Sequence, residues 1–261
     1  MEKAISKQKI LNTLDNGHWI LDDLSSLLLK KFKEEQLALN FDENCLKNYV
    51  ISYYCYYKSP LNSLFYCPQL DEKFNRILVE KVSKEGRISF FTDLEISNIL
   101  SSLNDIKESG TGNFKFINEL SFIKMESLQF KSASNPHLIG TIILTNQINF
   151  NKIYELSKSI IHELAHQELF LINFYDRLIL ESSDGVSKFS PYQKTVRPPI
   201  GRLHSLWALF RMVQYGRFQG GFDENEMLLF NQTIQTLEDK ILTDFGVNLV
   251  KTIKDYLEKK I

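Results

Sequence analysis

The chain has 261 residues, 43% hydrophobic and 24% charged, fractions close to the globular average, so a disordered or collagen-like polypeptide is excluded. Its 31 Lys and Arg against 32 Asp and Glu leave a formal charge of −1. That balance removes bulk attraction to nucleic acid or to an anionic membrane as the main activity.

No run approaches the roughly 18 apolar residues that span a bilayer, and bursts such as residues 138–144 are strand-length. The N-terminus MEKAISKQKI carries charges where a secretory leader needs an apolar stretch. Three cysteines, Cys45, Cys55 and Cys67, are too few and too odd in number for a disulfide framework. Together these features predict a cytoplasmic protein with reduced thiols and no membrane or nucleic-acid partner.

Residues 3–38 repeat apolar positions (Ile10, Leu14, Leu21, Leu24, Leu28, Phe32) at helical spacings, with Asn16-Gly17 as a break. The aromatic stretch 49–57, YVISYYCYY, fits helix or strand and reads as core. Pro60 and Pro68 punctuate the next segment, and helices are expected over 71–82 and 93–108. The Glu108-Ser-Gly-Thr-Gly-Asn113 loop marks a boundary. Beyond it, residues 121–130 and 137–145 are strand-like, and the Ser/Asn/Pro turn 131–136 between them predicts a hairpin.

Asn149 or Asn151 is placed to cap a long helix running to about residue 174. A polar, Pro-bearing loop over 181–199 leads into a helix from about 200 to 215, with Gly216 as its stop. Asp223 caps a helix to about 239, and residues 248–260 form the last one, packed internally. The expected fold class is α+β, predominantly α-helical, with a small β-hairpin or sheet preceding the long helix. Residues 1–115 form a helical N-terminal region and residues 116–261 a second region that carries the chemistry.

That chemistry starts from Ile160-Ile161-His162-Glu163-Leu164-Ala165-His166, a His-Glu-x-x-His motif inside the long helix. Residues four apart leave a helix on one face, so both imidazoles can reach one cation, and Glu163 lies beside it. At about 100° per residue, Ile160, Leu164 and Leu171 fall on the side away from the histidines, while Leu169 and Asn173 continue their stripe. A metal site accounts for this better than two core histidines.

The third ligand decides the chemistry. A metzincin needs Gly at position 169 and His at 172; Leu169 and Ile172 exclude it. A thermolysin-like zinc site needs a Glu from a second helix, and Glu181 sits in a loop setting. The other candidate is His204, in Arg-Pro-Pro-Ile-Gly-Arg-Leu-His-Ser-Leu-Trp, one of five histidines in the chain. A helix starting near Pro199 puts His204 on one side with Trp207, Ala208, Arg211 and Tyr215. His18 and His137 lack such a setting and read as structural or surface residues.

The combined pattern resembles the HExxH-type peptide β-hydroxylases, the iron(II)- and 2-oxoglutarate-dependent HExxH-motif peptide-modification proteins. That family pairs a strand, a His-Glu-x-x-His helix, a Ser-Pro-aromatic loop, an Arg-Pro-x-x-Gly segment and a Leu-His on the next helix. Here those elements are residues 139–145, residues 159–174, Ser190-Pro191-Tyr192, Arg197-Pro198-Pro199-Ile200-Gly201 and Leu203-His204. The resemblance covers roughly residues 135–215 and leaves the N-terminal half unassigned.

The resemblance implies His162, His166 and His204 as ligands of Fe(II), with 2-oxoglutarate as co-substrate. The implied reaction hydroxylates an unactivated side-chain carbon, the β-carbon, of a peptide or carrier-bound amino acid, as in natural-product biosynthesis. Three protein ligands leave three octahedral positions for a chelating 2-oxo acid and dioxygen. The co-substrate's distal carboxylate needs a guanidinium fork, and Arg197 and Arg211 are the candidates in a cluster that includes Arg202. Glu163 then tunes the site. The alternative is a zinc-dependent peptidase or hydrolase in which Glu163 is the general base and Glu181, or another acid, completes a Zn(II) site. A non-catalytic binding module is the third class.

Overall fold

A computed structural model describes residues 6–21, 23, 87–89, 91–109, 120–126, 129–134, 141–221 and 223–259. The aromatic stretch 49–57, the helix expected over 71–82, the three cysteines, His137 and most of the Glu108–Asn113 loop lie outside the described residues. In chain order the described elements are α1 (Lys7–Asp15), β1 (Arg87–Ser89), α2 (Asp93–Ser109), β2 (Ser121–Glu126), β3 (Ser132–Ala133), β4 (Thr141–Thr145) and α3 (Ile153–Tyr175). They continue with β5 (Lys188–Ser190), β6 (Thr195–Arg197), α4 (Pro199–Phe218), α5 (Glu224–Ile234) and α6 (Asp244–Lys259). The fold class is α+β and mainly helical, as the sequence predicts.

The chain forms two compact units, Met1–Leu28 with Glu108–Phe114 and Glu168–Ile261, and Leu29–Lys107 with Lys115–Gln167. The second of these holds a four-stranded sheet in the order β1-β2-β4-β3. All five residues of β4 are buried, which is why Thr-Ile-Ile-Leu-Thr reads as a continuous apolar run where a half-exposed strand would alternate. The hairpin expected between residues 121–130 and 137–145 is not formed. β2 and β4 run parallel, with Ile123 opposite Ile143, and the antiparallel partner of β4 is β3 on its other side. The Ser/Asn/Pro segment read as one turn supplies that edge strand, so the chain passes across the end of β4 before β4 is made.

Helix α2 begins at a reciprocal cap: Thr92 N–H donates to Glu95 Oε2 (2.8 Å) and Glu95 N–H to Thr92 Oγ1 (3.3 Å). The same Glu95 takes both prongs of a contact with the Lys124 ammonium on β2, at 2.8 and 2.7 Å. Phe91 and Phe150, packed edge to face, lie within cation–π reach of that ammonium. Burial alone would raise the Glu95 pKa, but the Lys124 and Thr92 bonds hold it below the ordinary carboxylate value.

The other unit is helical. α1 starts at a Ser6 cap and ends at Asn16, and Gly17 leaves it with φ +77°, so the Asn16-Gly17 break stands as expected. A Cβ on Gly17 would also collide with the Tyr256 ring of α6. α4 runs past Gly216, which is buried within it, to Phe218. The left-handed residue beyond its end is Gly220 (φ +73°). The segment expected as a bare loop over 181–199 contains the β5–β6 hairpin, with Phe189 opposite Val196. Asp223 caps α5 as predicted, accepting from Asn225 and Glu226 N–H, though that helix ends at Ile234. α6 starts at Asp244, earlier than expected, because Gly246 lets the helix approach the Leu178 carbonyl, where any Cβ would overlap.

Candidate metal centre

Helix α3 is entered through an Asx turn, with Asn149 Oδ1 accepting from Asn151 N–H (3.1 Å). Ile160, Ile161, Leu164 and Ala165 are buried, whereas His162 and His166 are half-buried. Two polar residues one turn apart tie the helix to the sheet. Gln167 Nε2 donates to the Thr141 carbonyl at the head of β4 (3.0 Å), and Glu163 Oε1 accepts from the Ser132 hydroxyl of β3 (2.6 Å). Glu163 is 1% exposed, and among the described residues its Oε2 meets no partner. A buried carboxylate oxygen without a donor is costly, so Oε2 is an acceptor open to a partner.

The imidazoles of His162 and His166 meet edge to face, with their Nε2 atoms 2.9 Å apart. At that distance the two nitrogens stand within hydrogen-bonding reach, with donor and acceptor set by their tautomers. The same separation suits a shared ion. Two nitrogens held about 2.1 Å from one ion stand about 3.0 Å apart at an octahedral right angle and about 3.4 Å apart at a tetrahedral angle. Two imidazoles are donors that divalent iron and zinc both accept, and Glu163 is next to His162 in sequence. Among the described residues no group of three or more His, Cys, Asp or Glu side chains is gathered to hold a metal ion. The structure thus brings His162 and His166 together and does not display a third protein ligand.

In the helical unit, His204 lies on α4 with its ring against Phe170, centroids 4.6 Å apart. Glu181, the acid considered for a zinc site, is 88% exposed in its side chain and pairs with Arg177 at 3.7 Å, an unfavourable setting for a ligand. Arg197 ends the exposed strand β6, and among the described residues its guanidinium meets no acceptor. Arg202 is wholly buried, with Nη1 on the Thr236 carbonyl and Nη2 on the Val186 carbonyl (3.1 Å); burial lowers its pKa.

Arg211 occupies a different setting from the one its place in the sequence suggested. Its Nε donates to Glu168 Oε2 (2.8 Å) and its Nη2 to Glu168 Oε1 (2.7 Å) and the His18 carbonyl (3.0 Å). Nη1 donates to Gln214 Oε1 (2.7 Å) and the Gly17 carbonyl (3.3 Å). All five N–H bonds of the fork end on protein acceptors, so Arg211 has no donor left for a co-substrate carboxylate. Trp19 lies over the guanidinium at 4.2 Å.

Sequence reasoning missed Glu168. Both its oxygens are saturated: Oε1 also accepts from Ile20 N–H (2.9 Å), and Oε2 from Trp207 Nε1 (2.9 Å). One signal was present, because Leu164, Glu168 and Ile172 share a helical face at i, i+4 spacing, so Glu168 is a charge set in an apolar stripe. No protein-family model matches the chain, and neither does any curated protein.

Proposed function

We propose that this chain is an iron(II)- and 2-oxoglutarate-dependent hydroxylase acting on a side-chain carbon of a peptide or carrier-bound amino acid. The observation that carries the reading is the His162–His166 pair, with Nε2 atoms 2.9 Å apart, on the helix whose Glu163 is a buried carboxylate with one open oxygen. When bound, iron with 2-oxoglutarate would supply the oxidising power for C–H hydroxylation, releasing succinate.

His162 and His166 would hold the metal, and His204 would be the third ligand by resemblance. Glu163, fixed through Oε1 by Ser132, offers Oε2 as an acceptor that orients a donor at the site. Arg197, an exposed fork with open donors, would take the co-substrate's distal carboxylate. Arg211 instead holds Glu168.

The test is anaerobic purification, reconstitution with iron(II), and measurement of succinate from 2-oxoglutarate in air. Succinate formation that His204→Ala and His162→Ala both abolish is the expected result. Peptide-bond cleavage with zinc, and no succinate with iron, would replace this reading by the hydrolase.

A further inference from the structure

Among the described residues β3 is the outermost strand of its sheet, and its main chain is only half used. Thr145 N–H donates to the Lys131 carbonyl (2.9 Å), which makes Lys131 and Thr145 a hydrogen-bonded pair. Antiparallel ladders alternate, so Ala133 and Ile143 form the next such pair, and Ser132 stands opposite Leu144 in the non-hydrogen-bonded position between them. The N–H and C=O of Ser132 therefore point away from β4, toward the outer edge. Among the described residues nothing pairs with them. Ser132 is half-buried, and two residues on, the hydroxyl of Ser134 is buried and, among the described residues, without a partner.

Ser132 is also the residue whose side chain holds Glu163. Among the described residues its main chain thus faces an unpaired edge, while its hydroxyl touches helix α3 next to His162. We propose that the substrate is an internal residue of an extended peptide, which adds to the outer edge of β3 and exchanges both main-chain hydrogen bonds with Ser132. Directly opposed residues in a sheet send their side chains to the same face, with Cβ atoms about 4.5–5.5 Å apart. The β-carbon of the peptide residue opposite Ser132 thereby lies on the face that carries Glu163. The rung needs an N–H and a C=O from one residue inside a chain, and this favours a peptide over a free amino acid. The assignment of the reacting carbon rests on the hydroxylase reading; the docking mode does not.

A pooled library of short unstructured peptides, passed over the immobilised full chain and read by mass spectrometry, tests the docking. Retained sequences are resynthesised with each backbone amide N-methylated in turn. One methylation site is expected to weaken binding at least about fivefold, with its immediate neighbours tolerated, because a single rung hydrogen bond is lost there. Ser132→Pro, which deletes the outward N–H at a position where an edge strand accepts proline, is expected to do the same while circular dichroism stays native. The proposal is overturned if the chain retains no peptide at millimolar concentration. It is equally overturned if every N-methylated form binds as well as its parent, whether or not the proline variant folds. Succinate release in parallel separates the two readings. Peptides bound by this rung that yield no succinate remove the hydroxylase and leave the docking, and succinate from peptides indifferent to N-methylation does the reverse.

Discussion

Glu168 and Arg211 meet as a two-pronged ion pair in which neither side chain is exposed to solvent. Every lone pair and donor of the contact has a partner: Ile20 N–H and Trp207 on the acid side, and the Gly17 and His18 carbonyls with Gln214 on the base side. Removing one member leaves the other charged, buried and unmatched. Glu168→Ala and Arg211→Ala are each expected to cost roughly 3–5 kcal/mol of stability. A urea titration of the two single variants and the double variant should show strong non-additivity, since the second deletion removes the stranded charge.

Arg197 and Arg211 should separate in a kinetic assay. On the proposed hydroxylase reading, Arg197→Ala is expected to raise the KM for 2-oxoglutarate roughly 10- to 100-fold, the worth of a charge-assisted bond to a carboxylate. Arg211→Lys should lower the thermal midpoint and leave that KM unchanged. A matching rise in KM for the lysine variant would show that Arg211 serves the co-substrate after all.

Stability on the acid side should depend on Glu95. Its folded pKa lies below the ordinary value of about 4.3 because Lys124 and Thr92 favour the carboxylate against the penalty of burial. The stabilisation is therefore fully present above the unfolded value and disappears as pH falls through the folded one. Glu95→Gln should flatten the acid limb of a stability-against-pH curve and change little in the ion-pair-independent part of α2. A limb of unchanged steepness would count against this assignment.

Much of this architecture was legible in the sequence, and the misreadings have physical causes. α2, the Asn16-Gly17 break and the Asp223 cap follow from local rules, and local rules held there. Gly216 looked like a helix stop because glycine commonly is one, yet burial within α4 keeps it helical and the positive φ falls on Gly220. Two strands separated by a short polar segment normally pair with each other; here β3 captured the antiparallel side of β4, a choice made by pairing across the sheet and invisible to a window of neighbours. In the candidate site, the His162–Glu163–His166 spacing was readable, whereas the hold of Ser132 on Glu163 and the Glu168–Arg211 pair join residues distant in sequence.

Gly246 offers a sharper test of packing than the helices themselves. The Leu178 carbonyl occupies the space a Cβ would take, and Thr243 N–H bonds that same carbonyl at 3.0 Å. Gly246→Ala is expected to destabilise the protein by about 1–3 kcal/mol, as overpacking against backbone does. A thermal melt should show it plainly, and an unshifted midpoint would mean that α6 can slide.

The chain has two tryptophans, and both flank the same buried charges: Trp19 lies over the Arg211 guanidinium and Trp207 donates to Glu168. Intrinsic fluorescence excited at the indole band is thus a local gauge, blind to most of the molecule. Quenching or a red shift reports that this clasp has loosened, even where helicity is retained, so the native emission spectrum doubles as an optical readout for ligands, denaturants or variants that act there.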